Sequence, residues 1–312
     1  DWLNKLLQYN TFLLYIFCNK KVNIMKKLGL ATALLLAMTG AQAYQFEVQG
    51  QSEYIDASDA NDKDFTGGLQ GTFYFKDVDS SKGPLAEAAF LNQASNVSVA
   101  YNYAELDADV VAHNYGAKAE AYVPTKFVPA YASASYSHTV LGGKNGKWND
   151  QGDRYALEVG ALAAPNFLVA VGYTSVADQF ALDAFNVMSN GAVKAVGEAA
   201  TIGEDQDAVT ARTKYVGNID GTNMALGLEA GLVYGEDTAY QLKTDLYLTP
   251  ALSVGASYVE SSFAGTPDSA WGANVNYFIT PAVAVGASYV NANAKDNTEN
   301  LDTQTVGVNA KF

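Results

Sequence analysis

From Tyr44 to the last residue, apolar and polar side chains alternate almost without a break, and that pattern limits what the chain can fold into. Period two is the repeat of a β-strand with two unlike faces, because successive side chains point to opposite sides. Tyr44, Phe46, Val48, Gly50, Ser52 and Tyr54 interleave with Gln45, Glu47, Gln49, Gln51 and Glu53. The alternation returns at 65–76, 97–103, 113–123, 130–138, 154–163, 167–174, 207–217, 224–234, 239–248, 252–259, 271–279, 283–290 and 303–312, which gives fourteen expected strands. Short turns at Ala164-Pro165-Asn166, Asp220-Gly221, Thr249-Pro250-Ala251 and Thr280-Pro281-Ala282 contrast with longer polar loops at 55–64, 104–112, 139–153, 175–206 and 291–302. One turn and strand are copied: TPALSVGASYV at Thr249–Val259 returns as TPAVAVGASYV at Thr280–Val290, as in a duplicated hairpin.

A soluble sandwich and a membrane barrel both alternate, so the faces must decide between them. In a barrel that meets lipid, aromatic rings collect at the two interfaces. Here the last apolar-face residue of each odd-numbered strand is Tyr54, Tyr103, Tyr136, Tyr173, Tyr234, Tyr258 or Tyr289, and the even strands open with rings such as Phe65, Tyr115, Tyr155, Tyr240 and Trp271. The other face is rich in Gln, Glu, Lys, Arg, Asn, Ser and Gly, too polar for a core and suited to a wet lumen. The expected fold class is all-β: a transmembrane, antiparallel, up-and-down barrel of about fourteen strands, with short periplasmic turns, long extracellular loops and both termini periplasmic. A net charge of −14 disfavours a nucleic-acid partner. One cysteine excludes a disulfide framework and a Cys-based zinc site.

The amino end reads as processing signal. Residues 1–24 begin with Asp1, carry the sole cysteine, Cys18, and are expected to be an over-extended upstream segment, the alternative being an extended leader that uses the apolar run Phe12–Cys18. Residues 25–43 join Met25-Lys26-Lys27, an apolar stretch Leu28–Met38 and Ala41-Gln42-Ala43, the layout of a signal peptide. Cleavage is expected between Ala43 and Tyr44, leaving the barrel as 44–312. That mature chain has 14 basic and 32 acidic residues, a net charge of −18. At the carboxyl end Val306, Val308, Ala310 and Phe312 share a face. Gly307, Ala310 and Phe312 form an expected assembly signal, because a last strand ending in Phe resembles the pattern read by the barrel assembly machinery.

Three stretches carry a family resemblance: YQFEVQGQSEYIDASDANDKDFTGGLQGTFYF from Tyr44, GPLAEAAFLNQ at Gly83–Gln93, and DQDAVTARTKYVGNIDGTNM at Asp205–Met224. Together they resemble the general porin family of Gram-negative outer membranes, and within it the carbapenem-associated outer-membrane porins. The resemblance implies a bacterial outer-membrane location and a passive, water-filled channel for small hydrophilic solutes, with antibiotic entry as a further role. It implies no cofactor and no catalytic residue.

Barrel enzymes exist, so the two histidines, His113 and His138, bear on function. His138 lies on the lipid face while Ser135 and Ser137 lie on the other, and His113 has no evident partner; no Ser/His pair forms and no enzyme is expected. The acidic stretch Asp56–Asp64 lacks the glycine and closing glutamate of a calcium loop, and no metal site is expected. The expected pore-lining residues are Glu47, Lys118, Glu120, Arg154, Glu158, Arg212, Lys214, Glu229, Lys243 and Asp245, with Glu53, Lys76 and Lys311 on the same face. If Asp220-Gly221 is a two-residue hairpin turn, Arg212 lies directly opposite Glu229. Basic and acidic residues nearly balance inside, so the surplus negative charge sits at the mouths and a mild cation preference is expected. Two connections are too long to be simple turns. Segment 175–206 has a helical spacing through Leu182, Phe185, Met188, Ala192, Val196 and Ala199 and could enter the mouth; Asp77–Ala94 has an apolar patch at Leu85, Ala88, Ala89, Phe90 and Leu91 and could plug the barrel or cap its rim. Two alternatives to an open porin are a plugged barrel for substrate-specific uptake and a structural or surface-recognition barrel with little conductance. Expected partners are outer-membrane lipids, the barrel assembly machinery and small hydrophilic solutes, with the protein acting as a monomer.

Overall fold

Among the described residues the alternation resolves into fourteen antiparallel strands, and each expected segment is one of them. A computed structural model describes residues 43–57, 64–107, 110–143, 146, 149–178, 183–187, 206–262, 269–293 and 300–311. The strands are β1 (Ala43–Ala57), β2 (Asp64–Asp79), β3 (Asn96–Asp107), β4 (Val110–Val123), β5 (Ala130–Gly143), β6 (Asn149–Ala164) and β7 (Phe167–Asp178), followed by β8 (Asp207–Asn218), β9 (Ala225–Tyr234), β10 (Thr238–Thr249), β11 (Leu252–Ser261), β12 (Ser269–Thr280), β13 (Val283–Asn293) and β14 (Asn300–Lys311). Each pairs with its sequence neighbours, and β1 pairs with β14 from Glu47↔Lys311 to Ala57↔Leu301, so the sheet closes. Closure satisfies the backbone donors and acceptors of every strand, which is what a sheet inside hydrocarbon requires. The upstream segment, the signal peptide up to Gln42, Phe312 and most of the acidic stretch at 56–64 lie outside the described residues. So do most of the helically spaced positions between 175 and 206.

The strands extend further toward the long loops than the alternation suggested: β3 and β4 leave only 108–109 between them, and β5 runs to Gly143. Ladder hydrogen bonds continue where the apolar-polar alternation has broken down, as through Val140-Leu141-Gly142-Gly143, so periodicity underestimates strand length there. At the other end three connections are tight, with Pro165-Asn166, Pro250-Ala251 and Pro281-Ala282 between strands. In both copies of the Thr-Pro-Ala turn the threonine hydroxyl accepts a backbone N–H, from Ala251 at 3.2 Å and from Ala282 at 3.3 Å.

One connection differs from expectation in a way that matters inside the barrel. The β8–β9 hairpin is not closed by two residues: Ile219 N donates to Met224 O, Thr222 donates through N and Oγ1 to Ile219 O, and Gly221 adopts φ +75°. The longer loop moves the register by two, so Arg212 faces Gly231 and Lys214 faces Glu229. The direct Arg212–Glu229 opposition is therefore wrong. An Asp-Gly pair suits a tight hairpin, but here it sits within a larger loop that the Thr222 hydroxyl stabilises.

The outer surface is apolar at mid-height, with Leu157 60%, Val159 59%, Val171 54% and Leu242 54% exposed. Rings border this belt on the loop side, where Tyr136 packs on Tyr155 at 5.2 Å and Trp271 on Tyr289 at 5.5 Å. A second ring border that the sequence reading did not single out lies near the turns, where Phe46 packs on Phe73 at 4.8 Å and Tyr215 and Tyr277 are exposed. An apolar band of this extent between two aromatic girdles is stable against lipid and unstable against water. Leu157→Arg places a charge near the middle of that band, and the barrel should lose about 2–4 kcal/mol in reversible unfolding from bilayers. A loss below ~1 kcal/mol would mean that this face is not in hydrocarbon.

Candidate functional site

All ten expected pore-lining side chains lie on the inner face, but they are held by ion pairs and hydrogen bonds, to one another or to neighbouring inward groups, rather than arranged as an open ring of charge. Arg212 is the centre of the group. Its Nε and Nη2 donate to the two carboxylate oxygens of Glu158 at 3.1 and 2.5 Å, Nη2 also donates to Tyr131 Oη at 3.1 Å, and Glu229 is 3.9 Å away on the diagonal. Tyr131 in turn donates to Glu120, which Lys118 approaches to 3.0 Å and Asn96 Nδ2 to 3.1 Å. On β10, Lys243 pairs with Asp245 at 3.2 Å, and Asn274 donates to the same carboxylate at 3.3 Å. Gly255 makes room for this: a Cβ there would stand 2.4 Å from the Asn274 amide oxygen. Glu47 accepts from Tyr74 Oη at 2.8 Å and from Asn309 Nδ2 at 2.5 Å. Pairing suits charges in a narrow lumen, where partial desolvation makes an isolated charge costly.

Two connections enter the lumen and bring charged groups with them. The first is the long turn after β2. A 3-10 turn (Leu85–Glu87) runs into a short helix α1 (Ala88–Leu91), and their side chains meet the wall on three sides of the periplasmic end. Leu85 packs with Phe278 and Ala284. Ala88 and Ala94 pack with Tyr44, Tyr74 and Val78. Phe90 packs with Leu162, Leu168, Ala170, Val216, Ala225, Tyr131 and Tyr247. The expected apolar patch is thus the inner face of a plug rather than a cap on the rim. Polar contacts lock it: Lys311 Nζ donates to Leu85 O at 2.5 Å, Leu85 N to Pro250 O at 2.8 Å, and Asn92 Nδ2 to Asp79 O at 2.8 Å. Glu87 reaches Lys214 Nζ at 2.8 Å and accepts from Tyr247 Oη at 2.7 Å. Burial pushes the Glu87 carboxyl up, but Lys214 and the Tyr247 hydrogen bond outweigh it and hold the group below the usual carboxylate range.

The second is part of the loop after β7. Its helix α2 (Ala184–Val187) lies against β3, β4 and β5: Asn102 Nδ2 donates to Ala184 O at 2.9 Å, and Ala184 N donates to Ser137 Oγ at 3.1 Å. Asp183 is 3.8 Å from Arg154. Gly116 leaves room for the loop, because a Cβ there would come within 2.5 Å of the Ala184 Cβ and 2.9 Å of the Phe185 ring. Phe185 consequently lines two cavities in the lumen, one of about 460 Å³ and one of about 150 Å³.

Sequence reasoning missed Glu87 and Asp183, because it searched strands for lumen charges and these two arrive on connections. It also missed Tyr131 and Tyr247, inward rings at a height where alternation alone says nothing of their hydroxyl partners. His113 does have a partner: Tyr101 Oη lies 2.9 Å from its Nδ1. His138 meets Asp153 at 2.8 Å on the outer face, with Ser137 inside, so no Ser/His pair exists there. Gly307 and Ala310 sit in β14, opposite Gln51 and Val48 of the closing pair.

The Arg212–Glu158 contact, with both side chains largely buried, should show coupling of about 2–4 kcal/mol in a double-mutant cycle of unfolding using Arg212→Met and Glu158→Gln. The Arg212/Glu229 cycle should give well under half of that. Equal couplings would restore the rejected register.

The family model described as "Putative general bacterial porin" matches residues 19–312. Among solved structures, the outer membrane protein Omp33 of Acinetobacter baumannii is similar, with 52% identity over 88% of this chain and 100% of that one and a TM-score of 0.67. The CymD monoaromatic hydrocarbon channel shares the fold at 9% identity, covering 86% of this chain and 89% of its own, with a TM-score of 0.53. No curated protein sequence matches the chain.

Proposed function

The chain belongs to the general bacterial porin family and is a channel protein of the bacterial outer membrane, not an enzyme; from that premise we propose that it is a narrow, passive pore for small hydrophilic solutes with a mild preference for cations. The observation that carries the proposal is the state of the lumen charges. The seven basic and six acidic inward strand residues are joined by Glu87 and Asp183 from the two entering segments, so the lumen stays close to neutral. The remaining negative charge of the mature chain belongs to loops, turns and the strand ends beside them, as at Glu105, Asp107, Asp150, Asp153 and Glu260. Charge at the mouths concentrates cations without binding them, and salt screens it within about 10 Å at 0.1 M. A dianion meets repulsion there, whereas small cationic and zwitterionic solutes do not, which makes the pore a candidate route for zwitterionic antibiotics.

A second reading, substrate-specific uptake, is favoured by the plug and by Phe185, which narrow the lumen from opposite ends. Burying a leucine or phenylalanine side chain contributes about 1.5–3 kcal/mol, so Leu85 and Phe90 together hold the plug against thermal opening. Transport on either reading proceeds through a restricted path. We further propose that the chain is exported by residues 25–43, cleaved between Ala43 and Tyr44, inserted by the barrel assembly machinery with Gly307, Ala310 and Phe312 as its signal, and active as a monomer among outer-membrane lipids.

Planar-bilayer recording tests the proposal. Reversal potentials across a KCl gradient should show cation preference at low salt that fades toward ~1 M, where the screening length is about 3 Å. Anion preference, or selectivity indifferent to salt, would point instead to a narrow charged eyelet. The plug gives a pH prediction with a definite sign. A carboxyl held below its ordinary value of 4.5 keeps its stabilising pair at every pH above that value and loses it only on further acidification. Conductance should therefore be flat with respect to plug position between pH 5 and 8, and rise once Glu87 protonates below pH 4.5. Lys214→Ala should raise conductance already at pH 7. A variant whose conductance matches the parent's at both pH values would show that Glu87 does not latch the plug.

A further inference from the structure

The larger lumen cavity, about 460 Å³, has one wall unlike the rest. Around most of the lumen, polar side chains bond to one another. On β11, β12 and β13, however, Ser253, Asn276 and Ser288 line the cavity with no side-chain hydrogen bond among the described residues. The register puts them beside a recess. Ser253 lies opposite Asn276, Asn276 opposite Gly286, Gly286 opposite Gly307, and Gly307 opposite Gln51. Two glycines side by side leave the wall without side chains between an amide on β12 and an amide on β1. A Cβ at 286 would stand 3.3 Å from Val275 O and 3.4 Å from the Asn276 amide oxygen, at the edge of the recess. Below, the plug lines the cavity with Ala86, Ala89 and Phe90 and with Glu87, whose carboxylate is paired with Lys214.

We propose that this niche binds a small neutral polyhydroxylated solute of monosaccharide size, a binding preference separate from the ion preference imposed at the mouths; the inference rests on the channel reading given above. The shape and chemistry match on three counts. The cavity volume falls in the range of small-molecule sites and leaves room for accompanying water. A pyranose presents hydroxyls at its rim and C–H groups on its face, and the niche offers amides and two hydroxyls at its side and hydrocarbon from Ala86, Ala89 and Phe90 at its floor. Finally, every charge facing the cavity from the neighbouring strands is paired: Lys243 with Asp245, Lys118 with Glu120, Lys214 with Glu87, and Arg212 with Glu158. A charged or zwitterionic guest would have to compete with those pairs, while a neutral guest leaves them intact.

The test is titration of the purified, folded barrel in detergent with D-glucose, glycine and D-gluconate by calorimetry, alongside glucose block of single-channel KCl current. Glucose should bind saturably and more tightly than either of the other two by at least tenfold. Asn276→Leu, which removes the amide at nearly constant volume, should weaken glucose binding about tenfold. Gly286→Val, which fills the recess, should do the same by a different route, with heat-modifiable mobility confirming that each variant is folded. Glucose affinity unchanged in both folded variants, or glycine or gluconate binding as tightly as glucose, would overturn the niche. Steady KCl conductance with no glucose binding would also overturn it while leaving the channel reading intact. Glucose binding in a barrel that never conducts would support the niche and sink the channel reading instead.

Discussion

The hydrogen bonds between β1 and β14 are the condition on which the rest of the molecule depends. An open sheet of this length would carry two edges of unpaired N–H and C=O groups, and no such edge survives in hydrocarbon. Once the eleven partners from Glu47↔Lys311 to Ala57↔Leu301 are made, every strand has an outside and an inside, and the period-two sequence sorts itself between them. Apolar side chains can then stay exposed, because what they are exposed to is lipid. The polar face, which would be untenable as a protein core, becomes the wall of a wet lumen.

That sorting explains why so much was legible. Strand number, strand order, the girdle of rings near the loops and the inward placement of all ten charged residues follow from one repeat and from the rule that a barrel has two faces. What was not legible depends on interactions that the repeat does not encode. Register across β8 and β9 is set by the loop from Ile219 to Met224, where a threonine hydroxyl stabilises a wider turn than Asp-Gly alone suggests. Strand ends near the long loops are set by backbone ladders that persist after the side chains stop alternating. The partner of Arg212 is Glu158, from a strand two positions around the wall, a contact no local spacing announces.

The plug shows an intermediate degree of legibility. Leu85, Ala88, Phe90 and their neighbours form a patch too apolar for an exposed turn, so sequence alone says that it must be covered. It does not say by what. In the barrel the inside of the periplasmic end is the nearest surface with matching chemistry, because Leu162, Leu168, Val216 and Ala225 interrupt the polar lumen there. Those inward hydrophobes violate the polar-inside rule for a pore, and Phe90 is the reason they can.

The plug and the lumen charges are also one system. Glu87 is the acid through which the connection binds the wall, and Lys214 is the base opposite Glu229 in the true register. Had the hairpin been two residues shorter in register, Glu229 would have faced Arg212. As built, Arg212 is taken by Glu158, and Lys214 is positioned to hold the plug. The width of the β8–β9 loop at the periplasmic rim thereby determines which lumen base is paired along the wall and which anchors the segment that narrows the pore. The pairing of the lumen bases and the docking of the plug therefore share the same few side chains: Glu87, Lys214, Glu229, Arg212 and Glu158.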